Sequence, residues 1–299
     1  MAKKANLFVI ISFRTGPGRS EFTFFGVGND TFGLEHLNDE VWKDKQAQEK
    51  WIDMWKYTAE RYKNESNVVC YELMVEPNSN GVWLDIYNPE DFYPAYENTT
   101  YDWNQMYPNI VNEIREVDNE TPILISPMSW SSVRWLNSLS ISNDSRIVYS
   151  VHQYEPQSEY THQEYSSNMS SYPGTFEWNG EPTQFDKSWF ETYLLPVDQF
   201  KSDNSAQVAV TEYGLKRFVP GAEQFLDDEM AAFEKRGMNY FIWSWQPSSK
   251  GYNQAQNDFN FRMGTDPNNL SEGNSQLYDT IKKYWAKNDV EPSDFGNAS

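Results

Sequence analysis

Short apolar runs alternate with amphipathic stretches along most of the chain. Leu7-Phe-Val-Ile-Ile-Ser12 is nearly all apolar and predicts a strand. From Asp39 to about Lys63, Val41, Trp42, Trp51, Ile52, Met54, Trp55, Ala59 and Tyr62 recur at spacings of three and four, the period of a helix with one buried face. The alternation continues through a strand over 67–74, a helix over 102–117 and a strand over 122–126. A short helix over 131–139 and a strand over 146–152 follow. Beyond a polar, aromatic loop over 154–183 come a helix over 186–201 and the strand Val208-Ala-Val-Thr-Glu212. The last predicted elements are a helix over 222–236, a strand over 238–245 and a helix over 275–286. The stretch 78–101 reads as a long loop holding Trp83, Tyr87, Phe92, Tyr93 and Tyr96.

Six successive strand–helix units imply a parallel sheet. The expected fold is α/β: a TIM-type (β/α) barrel with about six units, open or shrunken because eight strands close the usual ring. Neither a repeat nor a linker divides the chain, so 1–299 is expected to be a single domain with a frayed tail over 288–299. In such a barrel the chemistry lies at the C-terminal strand ends. Arg14, Glu76, His152, Tyr154, Glu212 and Trp243 all fall there. An open doubly wound sheet would instead call for a glycine-rich phosphate loop after the first strand. Gly16-Pro-Gly18 is too short for one, and its proline lacks the N–H such a loop uses.

Composition narrows the partners. A formal net charge of −20 argues against nucleic acid and anionic lipid. No apolar run approaches the roughly 18 residues of a membrane span, so no membrane partner is expected. The start, Met1-Ala-Lys-Lys-Ala-Asn6, leads straight into a strand without the pattern of a signal peptide. Localisation stays open, and secretion is compatible with the rest. The single Cys70 cannot form an internal disulfide and reads as a buried structural residue. Twelve tryptophans exceed what a core alone needs, and their faces suit the C–H faces of sugar rings.

Two strand-like runs end in a carboxylate. Val208-Ala-Val-Thr-Glu212 is followed by Tyr213 and Gly214, and Val68-Val-Cys-Tyr-Glu-Leu-Met-Val75-Glu76 is stopped by Pro77. An acid at the mouth of a core strand is costly to bury without partners. Each alone is compatible with a solvated strand cap or an ion pair. The two together suggest the paired carboxylates of glycoside hydrolysis. Glu72, earlier in the same run, reads as a structural ion-pair partner rather than a catalytic group. No His or Cys cluster points to a metal, and no cofactor is expected.

These motifs, in order, resemble glycoside hydrolase family five, the cellulase family of (β/α)8 hydrolases. The resemblance runs from Leu7 to about Trp285. Val75-Glu76-Pro77 is similar to the family's Asn-Glu-Pro, His152-Gln-Tyr154 to its His-x-Tyr, and Glu212-Tyr213-Gly214 to its nucleophile motif. Trp243, with Trp245 close by, is similar to its cleft-floor tryptophan, and Gly16-Pro-Gly18 to a Pro-Gly loop of the exoglucanase-like members. The resemblance implies Glu76 as acid/base and Glu212 as nucleophile, with Trp243 and Trp245 binding substrate; His152 and Tyr154 are expected to bind substrate or orient the acids, and Arg14 to bind a sugar hydroxyl or pair with a glutamate. The implied activity is retaining hydrolysis of a β-linked glucan or mannan. Three departures stand out: Val75 replaces the Asn, Arg14 stands where the family has His, and the first two βα units have no counterpart. They leave two further expectations. One is a homodimer through the open barrel edges, and the other is a carbohydrate-binding protein without turnover on a degenerate scaffold.

Overall fold

The computed structural model describes residues 1–20, 38–245 and 257–292. Six parallel strands form one sheet. In chain order they are β1 (Val9–Ser12), β2 (Val68–Glu72), β3 (Ile123–Ile125), β4 (Ile147–Gln153), β7 (Val208–Tyr213) and β8 (Tyr240–Ile242), and they lie side by side in that order. The helices that cross between them are α1 (Lys45–Tyr62), α4 (Trp103–Arg115), α6 (Lys187–Tyr193), α7 (Leu195–Asn204) and α8 (Ala222–Lys235), with α9 (Gln276–Trp285) after β8. All six expected strands are present. Asp44, Asp102, Asp186 and Ser275 each accept a hydrogen bond from the first turn of the helix they precede, the local signal that starts those helices.

The sheet is strongly curled into a half-barrel. Neighbouring strands lie about 4.8 Å apart, so β1 and β7, four spacings apart, would be about 19 Å apart in a flat sheet. Yet Arg14, just beyond β1, donates to Glu212 of β7 at 2.5 Å. At the other rim Asn6 Nδ2 donates to Glu291 Oε2 at 2.7 Å, joining the approach to β1 to the chain beyond α9. Residues alternate across the strands. Tyr71, Ile123, Tyr149, Val151, Val208 and Val210 join the helix-facing core with Trp55, Ile110 and Phe233. Cys70, Leu124 and Ala209 form a separate small cluster on the concave side, with Ile10 and Val148 against it. Cys70 is the buried residue expected, and burial pushes its thiol up to about 12.

Several expected boundaries are corrected. The single helix over 186–201 is two, α6 and α7, meeting at Leu194. Pro196, in the first turn of α7, has no N–H to continue the earlier ladder. The segment 131–139 contains a 3₁₀ turn, Val133–Ser138, rather than an α-helix. The loop 78–101 contains the one-turn α2 (Ser79–Val82) and α3 (Pro89–Tyr96), and α5 (Met128–Ser131), a single turn whose last three residues have left-handed φ, follows β3. The loop 154–183 runs into an antiparallel hairpin, β5 (Gly174–Trp178) and β6 (Glu181–Phe185). Its two-residue turn, Asn179-Gly180, has φ of 52° and 81°, the left-handed pair of a type I′ turn. The tail expected to fray over 288–299 lies outside the described residues from 293 onward.

Candidate active site

Two local breaks in strand geometry turn the carboxylates inward. Along β4, Val148, Ser150 and His152 alternate onto the concave side. On β7 the register runs Ser150↔Ala209 and Val151↔Val210, then skips to His152↔Glu212. The skipped residue, Thr211, is a bulge. Without it Glu212 would point with Val210 into the helix layer; with it Glu212 lies on the same side as His152. Glu76 lies four residues beyond the end of β2 and has φ of 55°, a left-handed backbone rare for a residue with a Cβ. Strained backbone and a bulge at the same rim are typical of functional sites.

The result is one compact constellation. His152 Nδ1 lies 2.9 Å from Glu76 Oε1 and 3.7 Å from Glu212 Oε2. Arg14 bridges both acids, at 3.2 Å to Glu76 Oε2 and 2.5 Å to Glu212 Oε1. Tyr154 donates its hydroxyl to Glu212 Oε2 at 2.9 Å. The Arg14 guanidinium also sits 5.5 Å from the ring centre of Trp243, which is about one third exposed. Arg14, Glu76, His152, Tyr154, Glu212 and Trp243 therefore share the site expected of them. Trp245 does not join it. It packs on Phe261 and Trp285 behind β8, with the Arg262 guanidinium 4.1 Å from its ring centre. The chain leaves the strand after Ile242, so the strand alternation that would pair Trp243 with Trp245 no longer applies.

The electrostatics are those of a coupled set. Burial pushes Glu76 up, but the hydrogen bond and charge of His152, with Arg14 and Arg19, more than offset this and hold it below the usual glutamate value. Glu212 is raised, with burial the largest cause and the Glu76 charge adding to it, against His152 and Arg14. His152 is raised above 6.5, because the two glutamates outweigh its burial. The Tyr154 hydroxyl, buried beside Glu212, is pushed far up and stays a donor. One oxygen or nitrogen from each of Glu76, His152 and Glu212 lies within 4.8 Å of the others, so this trio could also ligate a metal ion. Arg14 already supplies positive charge to both of its carboxylates.

The concave wall below is polar. Ser12 Oγ donates to Glu72 Oε2 at 2.6 Å, and the hydroxyls of Ser126 and Ser150 lie 2.7 Å apart. Glu72 is thus a structural hydrogen-bond acceptor, and among the described residues it does not form the ion pair expected of it. Two further residues stand near the acids and were not singled out from the sequence. Arg19 is fully buried and bonds the backbone beneath Glu76. Trp130 donates its backbone N–H to Pro77 O at 3.1 Å, stacks on Tyr87, and lies in a run of three left-handed residues, Ser129 to Ser131. Its ring packs so closely on Gly81 that a Cβ there would fall 2.1 Å from it. Only the Gly at 81 hinted at such a close approach.

A curled sheet of parallel strands with two buried, bridged carboxylates at the C-terminal rim defines a barrel-type protein with a two-carboxylate site. The model of the cellulase family, glycosyl hydrolase family 5, matches residues 3–249, and the chain belongs to that family. It is 26% identical over 184 residues to endoglucanase C of Acetivibrio thermocellus, covering 60% of this chain and 44% of that protein. It is 24% identical over 172 residues to cellodextrinase A of Ruminococcus flavefaciens, covering 58% and 46%. The chain thus spans less than half the length of these relatives. Among solved structures, Thermotoga maritima Cel5A in complex with cellobiose superposes with a TM-score of 0.61 at 19% identity, over 94% of this chain and 73% of that one. The same enzyme with mannotriose gives 0.62 at 18%, over 94% and 74%. At these identities the superpositions speak for the fold.

Proposed function

We propose that this chain is a retaining β-glycoside hydrolase acting on a β-linked glucan or mannan. The observation that carries the reading is the Glu76–Glu212 pair, brought from two strands to one side of the sheet and bridged by Arg14. One carboxylate oxygen of each acid lies within 4.8 Å of one on the other, a proximity that supports the short carboxyl separation of double displacement, roughly 5–5.5 Å. Glu212, held by Tyr154, attacks the anomeric carbon. Glu76 protonates the departing oxygen and then takes a proton from the water that releases the glycosyl-enzyme. Trp243 offers an aromatic face on the same rim. The names of the relatives support a glucan, and the mannotriose complex of a fold neighbour keeps mannan in view.

In the free site Glu212 is shifted up and Glu76, which takes the His152 hydrogen bond, is shifted down, the order that places a proton first on Glu212. The reaction needs it on Glu76. A sugar lodged between the acids has to displace Arg14 from at least one of them, and esterification of Glu212 then removes the negative charge facing Glu76. Loss of Arg14 raises Glu76 for the protonation step, and loss of the Glu212 charge lowers it again for its turn as base.

The deciding experiment is release of new reducing ends from a panel of β-glucans, xyloglucan, xylan and mannans, with Glu76→Ala and Glu212→Ala alongside. The expected result is turnover on a glucan or mannan that Glu212→Ala abolishes and Glu76→Ala reduces by about 100-fold or more. Binding of a glycan without turnover by the unmodified protein would overturn this reading in favour of a binding protein.

A further inference from the structure

We infer that Arg19 is a positioning residue for the general acid, holding the left-handed backbone of Glu76 so that its carboxyl faces the scissile bond. The inference rests on the two-carboxylate reading and adds to it a group that no strand-end motif contains.

The device begins in the loop after β1. Gly16, Pro17, Gly18 and Arg19 form a tight turn closed by Arg19 N–H to Gly16 O at 3.0 Å and Gly16 N–H to Arg19 O at 2.9 Å. Proline at the second position and Gly18 at φ 69° at the third are the composition and backbone of a type II turn. The turn is pressed on α1 and the segment before it. A Cβ on Gly18 would lie 2.6 Å from Ala47 Cβ and 3.0 Å from the Val41 nitrogen, and one on Gly16 would lie 2.7 Å from the Trp51 ring. α1 is itself fixed to the end of β2, because Trp51 and Trp55 both donate their indole N–H to Leu73 O, at 3.1 and 2.7 Å. The turn therefore cannot shift relative to the residues leading to Glu76.

What it delivers is a buried guanidinium, 1% exposed. One arm donates to Val75 O and the other to Glu76 O, each at 2.7 Å. These are the two carbonyls that flank the unusual φ of Glu76. The left-handed region is disfavoured for a residue with a Cβ, and such a residue persists only where surroundings hold it. Two charge-assisted bonds from one rigid fork supply that hold, and a lysine has no matching geometry. Relaxation of Glu76 to an ordinary extended backbone would swing its carboxyl away from His152 and Arg14. Glu212 does not depend on Arg19, since the Thr211 bulge sets it on a different strand. The expected defect is therefore confined to the acid.

Aryl β-cellobiosides separate the two roles. Expulsion of a dinitrophenolate needs no proton, whereas expulsion of an unsubstituted phenol or a sugar does. In Arg19→Met and Arg19→Lys, kcat/KM on the phenyl glycoside should fall by about 100-fold while that on the dinitrophenyl glycoside falls by less than about 5-fold. Glu76→Ala should show the same contrast, and the unmodified protein should hydrolyse both. Two variants are used because the methionine leaves two buried carbonyls unpaired and can fail to fold, whereas the lysine keeps the charge. Equal losses on both glycosides, or no loss on either, in an Arg19 variant with an unchanged thermal transition would overturn the inference while leaving the mechanism intact. Loss of the contrast in Glu76→Ala itself, or no hydrolysis by the unmodified protein, would overturn the mechanism and this inference with it.

Discussion

Tyr154 and His152 each hold one of the acids, and their removal should have different signatures. Tyr154→Phe deletes a hydrogen bond to the Glu212 carboxylate and little volume. A bond to a charged group contributes about 1.5–3 kcal/mol, so kcat/KM should fall roughly 10- to 100-fold. Replacing His152 with Gln removes the charge and weakens the bond that hold Glu76 down. Glu76 then keeps its proton to higher pH, so the alkaline limb of the kcat/KM profile should move upward; an unmoved or lowered limb would contradict this role. A different histidine sets a stability window. Burial, with the Lys216 charge, lowers His162 to about 4. Its folded pKa lies below its unfolded value, so the unfolded chain binds the proton first. Its contribution is fully present above about pH 6.5 and is lost as pH falls toward about 4, up to about 3 kcal/mol in total. Urea unfolding at the two ends of this window should show the loss, and His162→Gln should show less of it.

Among the elements, helices and strands followed from periodicity, and most of the points where they break did not. The hairpin β5–β6 was overlooked although Asn179-Gly180 is a strong local signal for it, because the flanking runs are polar and short. Gly180→Ala tests that turn cleanly. A Cβ there meets nothing within 4 Å, so the cost comes from φ of 81° alone and should be about 1 kcal/mol by urea unfolding. The break in the helix over 186–201 was written as Pro196. The bulge at Thr211 was not written anywhere. Val208-Ala-Val-Thr-Glu212 reads as unbroken alternation, and only pairing with β4 shows that one residue is skipped.

Across the whole molecule, six strands curl far enough for the first to meet the fifth and sixth at one rim, yet among the described residues β1 and β8 remain the two ends of the sheet. Edges of this kind are pairing surfaces. Pairing between two copies predicts a particle of twice the 35.0 kDa chain mass in sedimentation; a particle of one chain mass at micromolar concentration would argue against it. The apolar runs, their helical partners and the acids that close two of the runs are local properties, so the sequence by itself determined a parallel α/β sheet and placed Arg14, Glu76, His152, Tyr154, Glu212 and Trp243 at one rim. It could not determine which way those side chains point or how far the sheet curls. Those depend on register, on a bulge that reverses one strand's faces, on a left-handed residue held by a buried arginine, and on helix packing that brings β1 round to β7. For the same reason Trp245, two residues from Trp243 in the chain, ends against Trp285 of α9, while Arg19, with no motif to mark it, ends beneath Glu76.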